Sequence, residues 1–105
     1  MTYKETAGSI APSEGWNGFT FVFSNGWSVS IQQSENHYCT VGKTAEVAIF
    51  DLNDNWYGYD DEKRDIFIPN KEYHETYVNA HLNANDVAKI ISIISQEKVD
   101  IRTSE

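Results

Sequence analysis

Cysteine is nearly absent from this chain, with Cys39 the only one. An internal disulfide needs two, so none is expected, and a lone thiol fits a reducing, cytoplasmic setting. Positive charge is scarce as well. Eight Lys and Arg stand against 16 Asp and Glu, a formal net charge of −8. Phosphate contacts need a basic patch, so direct nucleic-acid binding is not expected. A basic protein partner, or plain solubility, fits the charge. No apolar run approaches the ~20 residues that cross a bilayer. The longest, 90–94, contains Ser92, and no membrane association is expected. The opening residues show no basic segment leading into an apolar stretch, so no secretory signal is expected. Internal repeats and low-complexity tracts are missing. So are a Gly-x-Ser-x-Gly elbow, a phosphate-cradling glycine loop and a dinucleotide fingerprint.

What remains is a chain of 105 residues, 40% apolar and 23% charged. That is the length and balance of one folded domain, 1–105. Residues 1–17 carry polar, Gly, Pro and Ser signals around Ile10, and are expected to form an irregular arm anchored by Trp16.

Two alternating runs follow: Phe19, Phe21 and Phe23, then Trp27, Val29 and Ile31. Both have strand period. A two-residue Asn25-Gly26 loop would throw the two sets onto opposite faces. A three-residue loop, Ser24-Asn25-Gly26, pairs Phe23 with Trp27, Phe21 with Val29 and Phe19 with Ile31, and all six share one face. Gly26 supplies the left-handed residue that this loop needs. Residues 32–43 read as a polar loop, with a short extended piece at 37–40.

Residues 44–52 read as a central strand, apolar on both faces: Ala45, Val47 and Ile49 on one, Ala48, Phe50 and Leu52 on the other. Asn53-Asp54-Asn55 is a turn, 56–59 a return strand, 60–65 a charged loop, and 66–68 a short strand stopped by Pro69. Residues 71–82 stay open, with Tyr73 and Tyr77 at helical spacing. Asn83 is placed as an N-cap with Asp86 at the third helical position. Val87, Ile90, Ile91 and Ile94 form one apolar stripe. Val99 and Ile101 add a short extended tail. The expected fold is α+β: an antiparallel four-stranded meander sheet with one C-terminal helix packed on one face.

Few residues suggest chemistry. Asp51, Asn53 and Asn55 match the first side-chain ligands of a calcium loop, and Glu62 falls at its twelfth position. Trp56 occupies the place where that loop needs glycine, and a strand precedes it, which favours an Asx-rich hairpin turn. His37 and Cys39 could share a face, as metal ligands or a thiol–imidazole couple. Against that stand a solvated histidine and a structural cysteine. His74 and His81 lie seven apart, which shares a face only on a continuous helix. No cofactor is expected. Trp16, Trp56, Tyr57, Tyr59, Tyr73 and Tyr77 are candidates for an interaction surface, because aromatics are favoured at interfaces. They serve equally to finish a small core.

The segments 23–31 (Phe-Ser-Asn-Gly-Trp-Ser-Val-Ser-Ile) and 45–49 (Ala-Glu-Val-Ala-Ile), the Asp65-Ile66 step and the helix at 87–94 resemble a group of small uncharacterised bacteriophage proteins. In that group an Asn-Gly-aromatic strand precedes a Glu-[Val/Leu]-Ala-[Val/Ile] strand and a C-terminal helix. The resemblance implies a viral accessory protein acting on a host protein. It implies no chemistry.

The leading functional expectation is a non-enzymatic interaction module. If one helix covers one sheet face, the face of Phe50, Leu52 and Val22 needs other cover, which suggests a homodimer or a host-protein partner. The alternatives are a small ligand-binding domain or enzyme using His37, Cys39 or the 51–62 loop, and a structural virion component.

Overall fold

A computed structural model describes residues 8–13, 15, 17–69 and 76–102. The elements are β1 (Ser9–Pro12), β2 (Gly18–Val22), β3 (Ser28–Gln32), β4 (Ala45–Phe50), β5 (Trp56–Asp60), β6 (Asp65–Phe67), β7 (Asn79–Leu82), α1 (Ala84–Ile94) and β8 (Ile101–Arg102). The fold is α+β, an antiparallel sheet with one helix packed on it. The sheet is wider than a four-stranded meander. Seven strands run in the order β1-β2-β3-β4-β5-β6-β8, and β7 pairs with β4 off that path. The pairs are antiparallel except β6 with β8, which is parallel.

The first hairpin has the three-residue loop. Phe19 lies opposite Ile31 and Phe21 opposite Val29. The Phe23 N–H donates to the Trp27 carbonyl, and the Gly26 N–H to the Phe23 carbonyl. Gly26 has φ +91, the left-handed conformation that closes such a loop without a Cβ penalty. Directly opposed residues share a face. The register carries that face onward through Ile31↔Val47 and Val29↔Ile49, Ile49↔Tyr57 and Tyr59↔Ile66.

Helix α1 lies on this face. Asn83 caps it with a reciprocal box: its side chain accepts from the Asp86 N–H, and the Asp86 side chain accepts from the Asn83 N–H. Two otherwise orphaned donors are satisfied that way. Ile90 and Ile94 are fully buried, with Val87 and Ile93 packed beside them. Ile91, expected on the buried stripe, lies at its half-exposed margin. At the far end, the Asn25 amide donates to the Ile94 and Gln96 carbonyls, so the hairpin loop caps the helix C-terminus.

Several expectations are corrected. Residues 9–12 are not part of an irregular arm but a strand; Gly8 and Pro12 look like breakers, yet pairing with β2 supplies the order. Residues 37–40 are not extended but bends in a loop. The end of the ambiguous stretch is strand β7, not helix. The opposite sheet face is not vacant either: Val22 is 1% and Phe50 9% exposed within the single chain, alongside buried Thr20, Ser28, Ser30 and Ala48. That face is covered at Val22 and Phe50 without a second copy. Leu52 lies beyond β4 and is exposed. Among the described residues, no helix is long and apolar enough to cross a membrane.

Candidate functional site

The turn after β4 is organised by Asp51. One carboxylate oxygen accepts the Asn53 N–H at 2.8 Å and the Asn55 N–H at 3.0 Å. The other accepts the Asn55 amide at 2.9 Å and the Tyr57 hydroxyl at 2.7 Å. Burial alone would raise the Asp51 carboxyl, but the hydrogen bonds from Tyr57, Asn55 and Asn53 outweigh it and hold the group below its ordinary value. Burial and the same Asp51 contact push the Tyr57 hydroxyl well above the usual phenol range. Glu62 lies in the turn past β5, and the five-residue strand separates the two ends by about 14 Å. Asp51, Asn53, Asn55 and Glu62 therefore do not converge as the calcium-loop spacing suggested. The first three form an Asx-rich turn whose oxygens receive local donors.

His37 and Cys39 both turn toward Ser34. The His37 Nδ1 is hydrogen-bonded to the Ser34 hydroxyl, and the Cys39 thiol donates to the Ser34 carbonyl at 3.5 Å. These contacts fold the 34–44 loop back on itself. His81 sits in β7 with its N–H donating to the Tyr38 carbonyl; His74 lies outside the described residues.

The aromatic candidates separate. Tyr57 and Tyr59 are buried in the core cluster, and Tyr57 meets Trp27 at 4.7 Å between ring centroids. Both build the core rather than a surface. Trp56 meets Phe50 edge-on at 4.4 Å, and Tyr77 meets Phe67 edge-on at 6.1 Å. Trp16 and Tyr73 lie outside the described residues.

The exposed apolar surface is elsewhere. An eleven-residue helix is about 16 Å long, whereas seven strands span about 29 Å. Helix α1 rests on β3, β6 and β7, so it cannot also cover β1 and β2. There Ile10 is 62% and Phe19 56% exposed. Ile10 lies opposite Phe21, and Phe19 opposite Pro12. With half-buried Phe21, Pro12 and Ile31, they make a continuous apolar strip beside the helix. Ile10 and Phe19 were absent from the sequence candidates. The signal was the width of the sheet, which needs the strand count to be known.

A polar hollow of about 370 Å³ lies between α1 and the β5–β6 hairpin, lined by Tyr59, Arg64, Asn85, Asp86, Lys89 and Ser92 among others. Burial, then the Asp86 charge, raises the Tyr59 hydroxyl, with Arg64 opposing. No protein-family model matches the chain, and neither a curated protein nor a solved structure matches it.

Proposed function

We propose that this protein is a non-enzymatic interaction module that binds a partner protein through the β1–β2 strip. The observation that carries this reading is the exposure of Ile10 and Phe19, diagonal neighbours on adjacent strands and on one sheet face. Two large apolar side chains on adjacent strands, continuous with Pro12, Phe21 and Ile31, form the kind of patch that marks association sites. The net charge of −8 favours a partner with a basic rim around its apolar centre, because complementary charge speeds encounter. The resemblance to bacteriophage proteins supports a host protein as that partner.

The test is site-specific photo-crosslinking in the producing cell, with the photoreactive residue at position 19 and, as a control, at Glu97. One dominant protein adduct from position 19 and none from position 97 is expected. Equal adducts from both positions, or none from position 19, would sink the reading.

A further inference from the structure

We propose that Asn25 is a self-modification site gated by the fold. It stays intact while the first hairpin is docked on the end of α1, and converts to aspartate and isoaspartate once that junction opens. Asn25-Gly26 is one of two Asn-Gly pairs in the chain, the other being Asn17-Gly18. Asparagine is a labile residue. It is most labile before glycine, where no Cβ hinders the next peptide nitrogen from reaching the side-chain carbon.

The structure keeps every reacting group of this pair engaged. The Asn25 amide nitrogen, which must leave, donates to the Ile94 carbonyl at 2.8 Å and to the Gln96 carbonyl. Its Oδ1 accepts the Trp27 N–H at 3.0 Å. The Gly26 nitrogen, which must attack, donates its N–H to the Phe23 carbonyl at 2.9 Å. Gly26 is buried against Leu52. When the junction opens, the Gly26 nitrogen gives its proton to water and bonds to Asn25 Cγ. The bond from Cγ to the amide nitrogen breaks, and that nitrogen takes a proton from water and leaves as ammonia. Water then adds to either carbonyl of the resulting succinimide, giving aspartate or isoaspartate. An open polar hollow lined by Ser24, Asn25, Ser95 and Glu97 lets water reach the junction.

The change is one-way because the product no longer fits. A carboxylate has no proton to give to the Ile94 and Gln96 carbonyls. Ile94 ends α1, at the negative pole of the helix, and the last turn carries no basic residue to offset a new negative charge. The helix end therefore loses its cap and gains repulsion. Isoaspartate also lengthens the backbone of the hairpin loop. Asn25 thus records openings of the hairpin–helix junction.

The experiment incubates the whole chain in mildly alkaline buffer, with and without enough urea to unfold it. Peptide mapping that separates asparagine, aspartate and isoaspartate follows positions 17 and 25. In urea the two pairs are expected to convert at similar rates, so Asn17 serves as the internal standard. In the folded chain Asn25 is expected to convert at least about tenfold more slowly than in urea, a factor set by the cost of opening the junction. Equal rates at Asn25 in the folded and unfolded chain overturn the proposal. The one-way step is read by amide hydrogen exchange at Ser95 and Gln96, whose N–H groups donate to the Ile91 and Ile93 carbonyls. Both Asn25→Ala and Asn25→Asp are expected to speed that exchange, and Asn25→Asp by about threefold more, because only it adds the charge. Exchange no faster in Asn25→Asp than in Asn25→Ala also overturns the proposal. If Asn25→Asp does not fold, the rate comparison, which uses the unchanged sequence, still decides. The outcome is independent of the β1–β2 strip, which position-19 crosslinking reads separately.

Discussion

At the scale of single residues, Asp51 is the clearest case of a functional-looking group with a structural task. It closes the β4–β5 turn with four contacts and ties the turn to Tyr57. Partial exposure screens that network, so Asp51→Ala is expected to cost about 1–2 kcal/mol in urea denaturation. Its pH dependence has a fixed sign. The folded carboxyl titrates below its unfolded value. Its contribution is therefore present above the unfolded value, near 4, and is lost as pH falls through the folded one. The stability lost between about pH 7 and pH 3 is expected to be smaller in Asp51→Asn than in the parent chain. An equal loss in both would contradict the hydrogen-bond account. Ser28 makes the opposite point. Its hydroxyl is fully buried with no hydrogen-bond partner among the described residues. An unsatisfied buried group costs stability, so Ser28→Ala is expected to leave stability unchanged or raise it by about 1 kcal/mol, read by thermal unfolding.

At the scale of elements, the first hairpin and the helix were legible because each has a local cause. The hairpin register follows from the demand that six large side chains share a face. The helix start follows from Asn83 and Asp86 and the isoleucine spacing. Gly26 tests the hairpin directly. A Cβ there would meet Leu52 Cδ2 at 1.9 Å, on a backbone at φ +91. Leu52 is an exposed, movable side chain, so the backbone conformation sets most of the cost. Gly26→Ala is expected to destabilise by about 1–2 kcal/mol, and adding Leu52→Ala to recover only a minor part. Full recovery in the double variant would place the cost in the clash instead. The strands that sequence missed have non-local causes. β1 is four residues whose order comes from β2. β7 exists because β4 changes partner: it pairs with β5 at Ile49 and Phe50 and with β7 at Ala45 and Val47. Asn79 fills the junction. Its side chain accepts the Tyr59 N–H at 2.8 Å and donates to the Val47 carbonyl at 3.0 Å. A buried asparagine joining three strands leaves no periodic trace in its own segment.

At the scale of the molecule, the balance between helix length and sheet width decides where apolar surface is left. The sequence pointed to the Phe50 face, which is buried within the chain. The exposed strip lies instead on the helix-bearing face, at the β1–β2 side. Because Ile10 and Phe19 are mostly exposed, Ile10→Ser and Phe19→Ser are expected to change folding stability by less than about 1 kcal/mol. Ile10→Ser is expected to abolish the adduct formed from position 19, and either substitution to abolish capture of the same partner in a pull-down, since central apolar anchors dominate association. Loss of stability well beyond that range would mean that the two residues serve the core, and would remove the basis for an interaction surface.

By itself the sequence determined the α+β class, the hairpin register, the two-faced strand β4 and the capped helix. Each depends on patterns within about ten residues or on one-face burial, which side-chain period alone enforces. The tertiary structure decided the number of strands, the burial of Tyr57 and Tyr59, and the separation of Glu62 from Asp51. Those depend on distances between segments far apart in the chain, and no local periodicity encodes them.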